Sequence, residues 1–338
     1  MIALLALSGC SLAQPDRWSA GDGPIKIVAS TNVWGSVANL VAGDLATIDA
    51  IIYNSNQDPH SYELTARDQL LINNADIVIM NGGGYDDFIQ MAVDADPTPA
   101  ITVNAYMSSG VDETRNEHVW YDVDQIGDVA AVIGAAIESI DESKFEEVES
   151  RISDFRQKIY ERKARLEKHK LELITAFNSE QELTVFMTEP LMEYLVEDSG
   201  YRNITPSEFS DAVEEDRDIS PAVLEEATAL IKSGSVGAIL LNSSTQTAQI
   251  DALLAINPKI PNFAFSELLL QDPDTFEYDG GYFEMLDAAI ETYNATVVDA
   301  VRYVADQLAS TQAIERQQVE QKAAQQSAEA AYAIAVQR

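Results

Sequence analysis

Residues 141–178 read DESKFEEVESRISDFRQKIYERKARLEKHKLELITAFN, a strongly charged stretch without glycine or proline. Its apolar residues recur every three or four positions, which is the spacing of one face of an amphipathic helix. At 1.5 Å per residue such a helix would extend roughly 50 Å, further than an ordinary domain helix. The stretch therefore predicts one long backbone helix over 141–180 that joins two lobes. Its apolar face consists of Phe145, Val148, Ile152, Phe155, Ile159, Leu166 and Leu173.

Short apolar runs alternate with helical stretches on both sides of this helix. Such alternation is typical of a parallel sheet whose two faces are covered by helices. The predicted fold class is therefore α/β, with two lobes, each a parallel sheet flanked by helices, joined by the long helix. The predicted strands are 25–30, 46–52, 76–80 and 101–104 before it, and 183–188, 236–242 and 262–266 after it.

The two ends of the chain differ from this alternating part. Residues 1–9 are apolar and end in small residues, and the tetrapeptide LSGC that ends at Cys10 resembles a bacterial lipobox. We expect the signal to be removed before Cys10, and the lipid-modified cysteine to anchor the protein outside the cytoplasmic membrane. The predicted organisation is a lipoprotein signal over 1–10, a tether over 11–24, an N-terminal lobe over 25–140, the linking helix over 141–180, a C-terminal lobe over 181–308 and a Gln/Ala-rich tail over 309–338.

Composition limits the classes of function. The chain has 338 residues, 46% of them hydrophobic, and a formal net charge of −35. The apolar fraction is ample for a packed core. The acidity argues against nucleic acid or an anionic membrane surface as a partner, because both attract basic proteins. It serves solubility or attracts cations in a diffuse way.

Four polar side chains lie where predicted strands end or in a nearby loop. Open parallel sheets bind ligands outside the carboxyl ends of their strands. The candidates are His60, His118, Glu189 and Glu267, which gives each lobe two. Two imidazoles and two carboxylates can enclose one divalent metal, and the mixture suits zinc, manganese or iron(II). His169 lies on the apolar phase of the long helix, and we expect it to be no ligand.

The segments that carry these four residues resemble one family. They are similar to the ligand-bearing segments of the metal-binding lipoproteins of zinc and manganese ABC transporters, the cluster A-I or ZnuA/TroA-like solute-binding proteins. The resemblance covers roughly residues 25–305 and implies two α/β lobes joined by a backbone helix, with a metal clamped between them. The segments are DPHSYEL (58–64), NEHVWYD (116–122), VFMTEPLMEYL (185–195) and FAFSELL (263–269), and two others, LLNSSTQT (240–247) and ITPSEFSDAVEEDRDISP (204–221), resemble actinobacterial members.

The resemblance implies that the same four residues are the metal ligands, and this sequence departs from the family pattern in three places. Glu117 replaces a usual proline, Glu189 stands where histidine is frequent, and Glu267 stands where aspartate is common. The His-rich loop of many zinc receptors is absent from the sequence. A more oxygen-rich site favours Mn²⁺ or Fe²⁺ without excluding Zn²⁺.

Ligating histidines need their second ring nitrogen oriented by a neighbouring group. Three carboxylates within the quoted segments are the candidates for orienting the histidines. They are Glu63, Asp122 and Glu193.

The predicted function is that of an extracytoplasmic solute-binding component. It would capture zinc or manganese and deliver the ion to a membrane permease without catalysis. A surface adhesin or structural lipoprotein of the same fold is the alternative. A metal-dependent hydrolase is less favoured, because the sequence has no HExxH, GxSxG or Walker motif.

Overall fold

A computed structural model describes residues 23–54, 57–95, 100–176, 183–245, 247–269 and 281–336. The predicted signal, the lipidation of Cys10 and most of the tether fall outside these residues. The described residues group into two compact units. The first comprises those of Met1–Tyr53, Pro59–Val111 and Gly127–Gln157, and the second those of Asn54–Asp58, Asp112–Ile126 and Lys158–Arg338.

The first unit is built on a four-stranded parallel sheet with the strand order β2-β1-β3-β4. All four predicted strands are present. The register aligns Ile27 of β1 with Ile48 of β2 and Ile77 of β3. Its strands are β1 (Ile25–Thr31), β2 (Ala46–Ile52), β3 (Ile77–Met80) and β4 (Ile101–Asn104), and its helices are α1 (Asn32–Ala42), α2 (Ala66–Asn73), α3 (Asp87–Ala95), α4 (Ala105–Ser109) and nearly all of α5 (Ile126–Ile140).

Local sequence explains these elements. Every residue of β3 is buried, as a short apolar run between two covered faces requires. Helix α2 begins with a capping box, in which Thr65 accepts from the backbone N–H of Asp68 and the Asp68 carboxylate accepts from that of Thr65. The spacing of these two residues in the sequence is typical of a helix start.

The second unit repeats the same arrangement, with the strand order β6-β5-β7-β8. Strand β6 is only two residues long and lacks a pattern that the sequence could reveal. Ser220 caps α9, Pro221 opens it, and Gly234 ends it in the left-handed conformation at φ 76°. The elements are β5 (Thr184–Met187), α7 (Glu193–Asp198), β6 (Arg202–Asn203), α8 (Ser207–Glu214), α9 (Pro221–Ser233), β7 (Ala238–Asn242), α10 (Ala248–Ile256), β8 (Asn262–Phe265) and α11 (Tyr282–Val336).

The long helix predicted between the lobes is α6 (Phe145–Ala176). Its residues up to Gln157 belong to the first unit and those from Lys158 to the second. Five of the seven predicted apolar positions are buried, whereas Phe145 at the start is 54% exposed. Together with the two parallel sheets, this helix confirms the predicted fold class. The buried positions are Val148, Ile152, Phe155, Ile159 and Leu166.

The Gln/Ala-rich stretch that begins at residue 309 is helical. It continues α11, which is one helix of 55 residues, Tyr282–Val336. Alanine, glutamine and glutamate are strong helix formers, and the stretch after residue 308 has no glycine or proline to end the helix. Among the described residues, no helix has the length and apolarity needed to cross a membrane.

Candidate metal centre

Two of the predicted ligands meet at the carboxyl edge of the second unit's sheet. Glu189 follows β5 after one residue, Glu267 follows β8 after one residue, and each is 4% exposed. Asn242 ends β7, the strand that pairs with both. Its Nδ2 donates a hydrogen bond to Glu189 Oε2 at 2.6 Å and another to Glu267 Oε2 at 3.3 Å. One buried amide therefore orients both carboxylates.

The charge of this pair is the reason to consider a cation. An amide donates hydrogen bonds but carries no charge, so Asn242 orients the two carboxylates without neutralising them. Buried carboxylates are costly unless they are paired, protonated or bound to a metal. Burial raises the pKa of the Tyr121 hydroxyl, and the negative charge of Glu267 raises it further.

His118 is fully buried, and its ring orientation follows from its hydrogen bonds. Asn116 Oδ1 accepts from the backbone N–H of His118 at 2.8 Å and lies 2.7 Å from its Nδ1. Because the backbone N–H can only donate, this atom of Asn116 is the oxygen, and Nδ1 must carry the proton. The other ring nitrogen, Nε2, then has the lone pair that a metal needs.

Asn116 thus has the orienting role for which Asp122 was a candidate. Asp122 instead accepts from the backbone N–H groups of Asp124 and Gln125, at 2.9 and 3.1 Å, in the turn before α5. Burial raises the pKa of the Asp122 carboxyl. Asn116 was not identified from the sequence, because only carboxylates were considered as orienting groups.

The segment around His118 belongs to the second unit, whereas the sequence placed it in the lobe over 25–140. Three tyrosine hydroxyls hold it by bonds between residues far apart in sequence, which no local pattern predicts. Tyr194 donates to the carbonyl of Asn116 at 2.5 Å. The other two bonds run from Tyr282 to the carbonyl of Trp120 at 2.7 Å and from Tyr121 to the carbonyl of Ser266 at 2.5 Å.

The second unit therefore carries three predicted ligands, His118, Glu189 and Glu267. Tyr121 ties the His118 segment to the residue directly before Glu267. Arg115 adds a bidentate ion pair with Glu197, at 2.6 and 3.1 Å. These contacts hold the backbone segments that carry the candidate ligands of the second unit.

The structure adds a carboxylate that the sequence did not indicate. Glu214 ends α8, and its Oε1 lies 3.5 Å from Nε2 of His118. A carboxylate oxygen of Glu117 lies within 4.8 Å of one of Glu214. Glu214 stands in the acidic run VEED, which is typical of a solvated helix end, so the sequence offered no signal for it.

His60 is the predicted ligand in the first unit. It lies in a single 3-10 turn, Pro59–Ser61, and is partly buried. Its ring packs edge-on against Tyr85 with 5.0 Å between the ring centres. Tyr62, two residues on, donates to Asp68, and burial raises the pKa of its hydroxyl to about 12. The turn is thereby tied to the start of α2.

Glu63, Glu193 and His169 are the other residues that the sequence analysis considered. Glu63 is exposed. Glu193 opens α7, where burial raises the pKa of its carboxyl. His169 is 27% exposed on α6, with its Nδ1 3.4 Å from Glu172 of the same helix.

Residues 27–296 match the family described as ZnuA, zinc-uptake complex component A, periplasmic. The chain belongs to this family. Its members are metal-uptake components, which favours metal transport over the adhesin and hydrolase alternatives. The resemblance seen in the four ligand-bearing segments is confirmed.

Individual relatives agree with the ZnuA-family assignment. The chain is 25% identical over 248 residues to the manganese-binding lipoprotein MntA of Halalkalibacterium halodurans, which covers 68% of this chain and 79% of the relative. The fold of this chain is similar to that of FpvC from Pseudomonas aeruginosa, solved with Mn²⁺, at a TM-score of 0.68 and 16% identity. The match covers 82% of this chain and 100% of FpvC. The periplasmic zinc-binding protein TroA from Treponema pallidum gives a TM-score of 0.67 and 17% identity over 81% and 99%.

Proposed function

We propose that this ZnuA-family protein captures a divalent transition metal outside the cytoplasmic membrane and delivers it to the permease of an ABC transporter. Its ligands are His60, His118, Glu189 and Glu267. It acts by binding and release, with no catalytic step. Lipidation at Cys10 is the proposed attachment to the membrane.

The observation that carries this proposal is the carboxylate pair on Asn242. Two buried carboxylates share one neutral donor, and the buried imidazole of His118 presents Nε2 as an acceptor. Deprotonated carboxylates and a neutral imidazole are the forms of these side chains that bind a cation. A zinc-uptake family and a manganese-binding relative support the same chemistry.

The donor set suits manganese and iron(II) as well as zinc. Carboxylate ligands suit Mn²⁺, whereas imidazole suits zinc and iron. Zinc binds more tightly than manganese to most sites of this kind, so tight zinc binding alone would not identify the cargo. The difference between the two affinities is the informative quantity.

An anaerobic competition titration of the purified protein tests the proposal. Zn²⁺ and Mn²⁺ compete, and elemental analysis gives the bound metal. A small difference with tight manganese binding indicates a site for manganese or iron, and a large difference with negligible manganese binding indicates a zinc receptor. Absence of any stoichiometric metal overturns the proposal.

The pH dependence of binding provides a second test. Imidazoles and carboxylates must lose their protons to bind a metal, so affinity should fall as the pH is lowered from 7 towards 5. An affinity that stays constant over this range would exclude the two histidines as ligands.

A further inference from the structure

Glu214 faces the nitrogen of His118 that is proposed to bind metal. Its Oε1 lies 3.5 Å from Nε2, and the two side chains are 11% and 1% exposed. The acidic helix end around it is otherwise exposed, since Glu215, Asp216 and Arg217 all lie on the surface. Glu214 is thus the residue of this run that points towards the protein interior.

The distance between these two atoms is informative. In the neutral imidazole with its proton on Nδ1, Nε2 is an acceptor, so one cation can bind both Nε2 and the carboxylate oxygen of Glu214. A charged N–H to carboxylate bond would bring the atoms to about 2.7–2.9 Å, clearly shorter than observed. Two ligand atoms each about 2.1 Å from one ion would be about 3.0 Å apart at an octahedral angle and about 3.4 Å apart at a tetrahedral angle. The observed separation lies close to these values, so a small adjustment of the side chains would let one cation bind both.

The position of Glu214 favours a bound cation. It ends α8, where the helix dipole leaves partial negative charge. A carboxylate oxygen of Glu117 lies within 4.8 Å of it. The packing of its neighbours holds it there, because Phe209, Ala212 and Val213 of α8 are part of the hydrophobic core. A cation bound here would be attracted by both carboxylates and by the negative end of the helix dipole.

We infer that Glu214 is a further oxygen ligand of the metal bound by His118, and that it shifts the preference of the site from zinc towards manganese. The inference rests on the proposed function. Zinc is satisfied by four ligands, whereas manganese takes a larger, oxygen-rich shell. An added carboxylate therefore contributes more to manganese binding than to zinc binding.

The substitution Glu214→Gln tests this inference, with Glu208→Gln as the matched control. Glu208 is an exposed glutamate on the same helix, so its replacement makes the same change in charge away from His118. Dissociation constants for Mn²⁺ and Zn²⁺ are measured separately by competition with a chromophoric chelator. We expect Glu214→Gln to weaken manganese binding by more than about tenfold, because even residues that only hydrogen-bond to a metal ligand contribute about that much to metal affinity. Zinc binding should weaken less, and Glu208→Gln should leave both constants unchanged.

The outcomes separate this inference from the proposed function. Wild-type protein that binds neither metal overturns the proposed function, and the inference with it. Wild-type protein that binds metal while Glu214→Gln binds both metals equally well overturns the inference alone. Tighter binding by the variant also overturns it, because Glu214 would then compete with the metal for His118. An equal loss for both metals overturns the claim about selectivity.

A spectroscopic measurement guards against an unfolded variant. Far-UV circular dichroism of the metal-free Glu214→Gln protein should match that of the wild type. If the two spectra differ, Glu214→Asp replaces Glu214→Gln in the test. Aspartate keeps the negative charge, but its side chain is one methylene shorter, so its carboxylate lies further from His118. The electron paramagnetic resonance spectrum of bound Mn²⁺ should change in either folded variant, and an unchanged spectrum would exclude Glu214 from the coordination shell.

Discussion

Asn81 and Asn242 stand at equivalent places in the two units and have different roles. Asn242 is the last residue of the third strand in chain order of its sheet, and Asn81 directly follows the third strand of a sheet with the same strand arrangement. Asn81 Oδ1 accepts from the indole N–H of Trp34 at 3.1 Å, and its Nδ2 donates to the carbonyl of Gly82. Asn242 donates instead to two carboxylates. One side-chain amide bonds to an indole and a backbone carbonyl, and the other orients two carboxylates.

The buried carboxylates differ in the same way. In the first unit Asp86 is 1% exposed and accepts from the backbone N–H groups of Asn81 and Gly82, at 2.6 and 2.8 Å. In the second unit Glu189 and Glu267 accept from the same side-chain amide. The strand ends also differ, since β1 runs directly into α1, whereas Thr188 and Glu189 lie between β5 and the next helical turn. The same scaffold therefore holds a carboxylate by backbone N–H groups in one unit and presents two proposed metal ligands in the other.

The largest expected effect is the loss of metal binding in Glu189→Gln. The side chain keeps its size but loses the charge that binds the cation. Loss of a residue that only orients a ligand lowers metal affinity by up to about 100-fold. Loss of the ligand itself should therefore lower the affinity for Mn²⁺ or Zn²⁺ by more than about 100-fold. Isothermal titration calorimetry measures the affinity. The metal-free variant should unfold at the same or a higher denaturant concentration, because a buried charge is gone.

Retention of wild-type affinity by Glu189→Gln would mean that Glu189 is structural, as Asp86 is. The comparison between the two sheet edges would then fail. The exposed Glu225→Gln on α9 is the control for the change in charge.

The paired substitutions Asn242→Ala and Asn81→Ala should act on different quantities. Asn242→Ala releases both carboxylates and should weaken metal binding about 10–100-fold, as loss of an orienting partner does. Asn81→Ala leaves the indole N–H of Trp34 buried and unsatisfied, which should reduce the free energy of unfolding by about 1–3 kcal/mol. Metal titration and urea denaturation of both variants measure the two quantities. Equal effects of the two variants on affinity would contradict the assigned roles.

The substitution Asp86→Ala should reduce stability and leave the affinity of the folded protein unchanged. It removes the acceptor for two buried backbone N–H groups, at a cost of about 2–4 kcal/mol. Urea denaturation without metal measures this loss. A stability equal to that of the wild type would show that the two N–H groups need no carboxylate.

The smallest expected effect concerns pH and a carboxylate of the second unit outside the ligand set. Burial, with the charges of Asp124 and Asp122, raises the pKa of Asp198 from 3.8 to about 6. The folded state then holds this proton more tightly than the unfolded state, so its contribution to stability falls as the pH rises from about 4 to 6. At pH 7, Asp198→Asn should raise the free energy of unfolding by about 1–2 kcal/mol.

This gain should shrink as the pH falls and largely disappear by about pH 3, which is below both pKa values, so that Asp198 is protonated in both states. Urea denaturation at about pH 7 and about pH 3 provides the comparison. The exposed Asp218→Asn serves as control. A gain that is independent of pH would assign the effect to packing and not to the charge.

The sequence by itself predicted the parts of the fold that local patterns encode. The period of the apolar residues indicated α6, and the short apolar runs indicated seven of the eight strands found in the described part of the chain. Strand β6 was missed because two residues carry no period. The continuation of α11 beyond residue 308 follows from helix propensity alone, but nothing in the sequence marked where that helix would end.

The candidate ligands were also found from the sequence, because strand ends can be located and resemblance supplied the motifs. Tertiary structure decided what surrounds them. The His118 segment packs in the second unit, and Asn116 orients the His118 ring. Asn242 donates to two carboxylates, and Glu214 lies next to the imidazole. These contacts join residues on different strands, helices and loops. They depend on how the chain packs, and no local spacing records them.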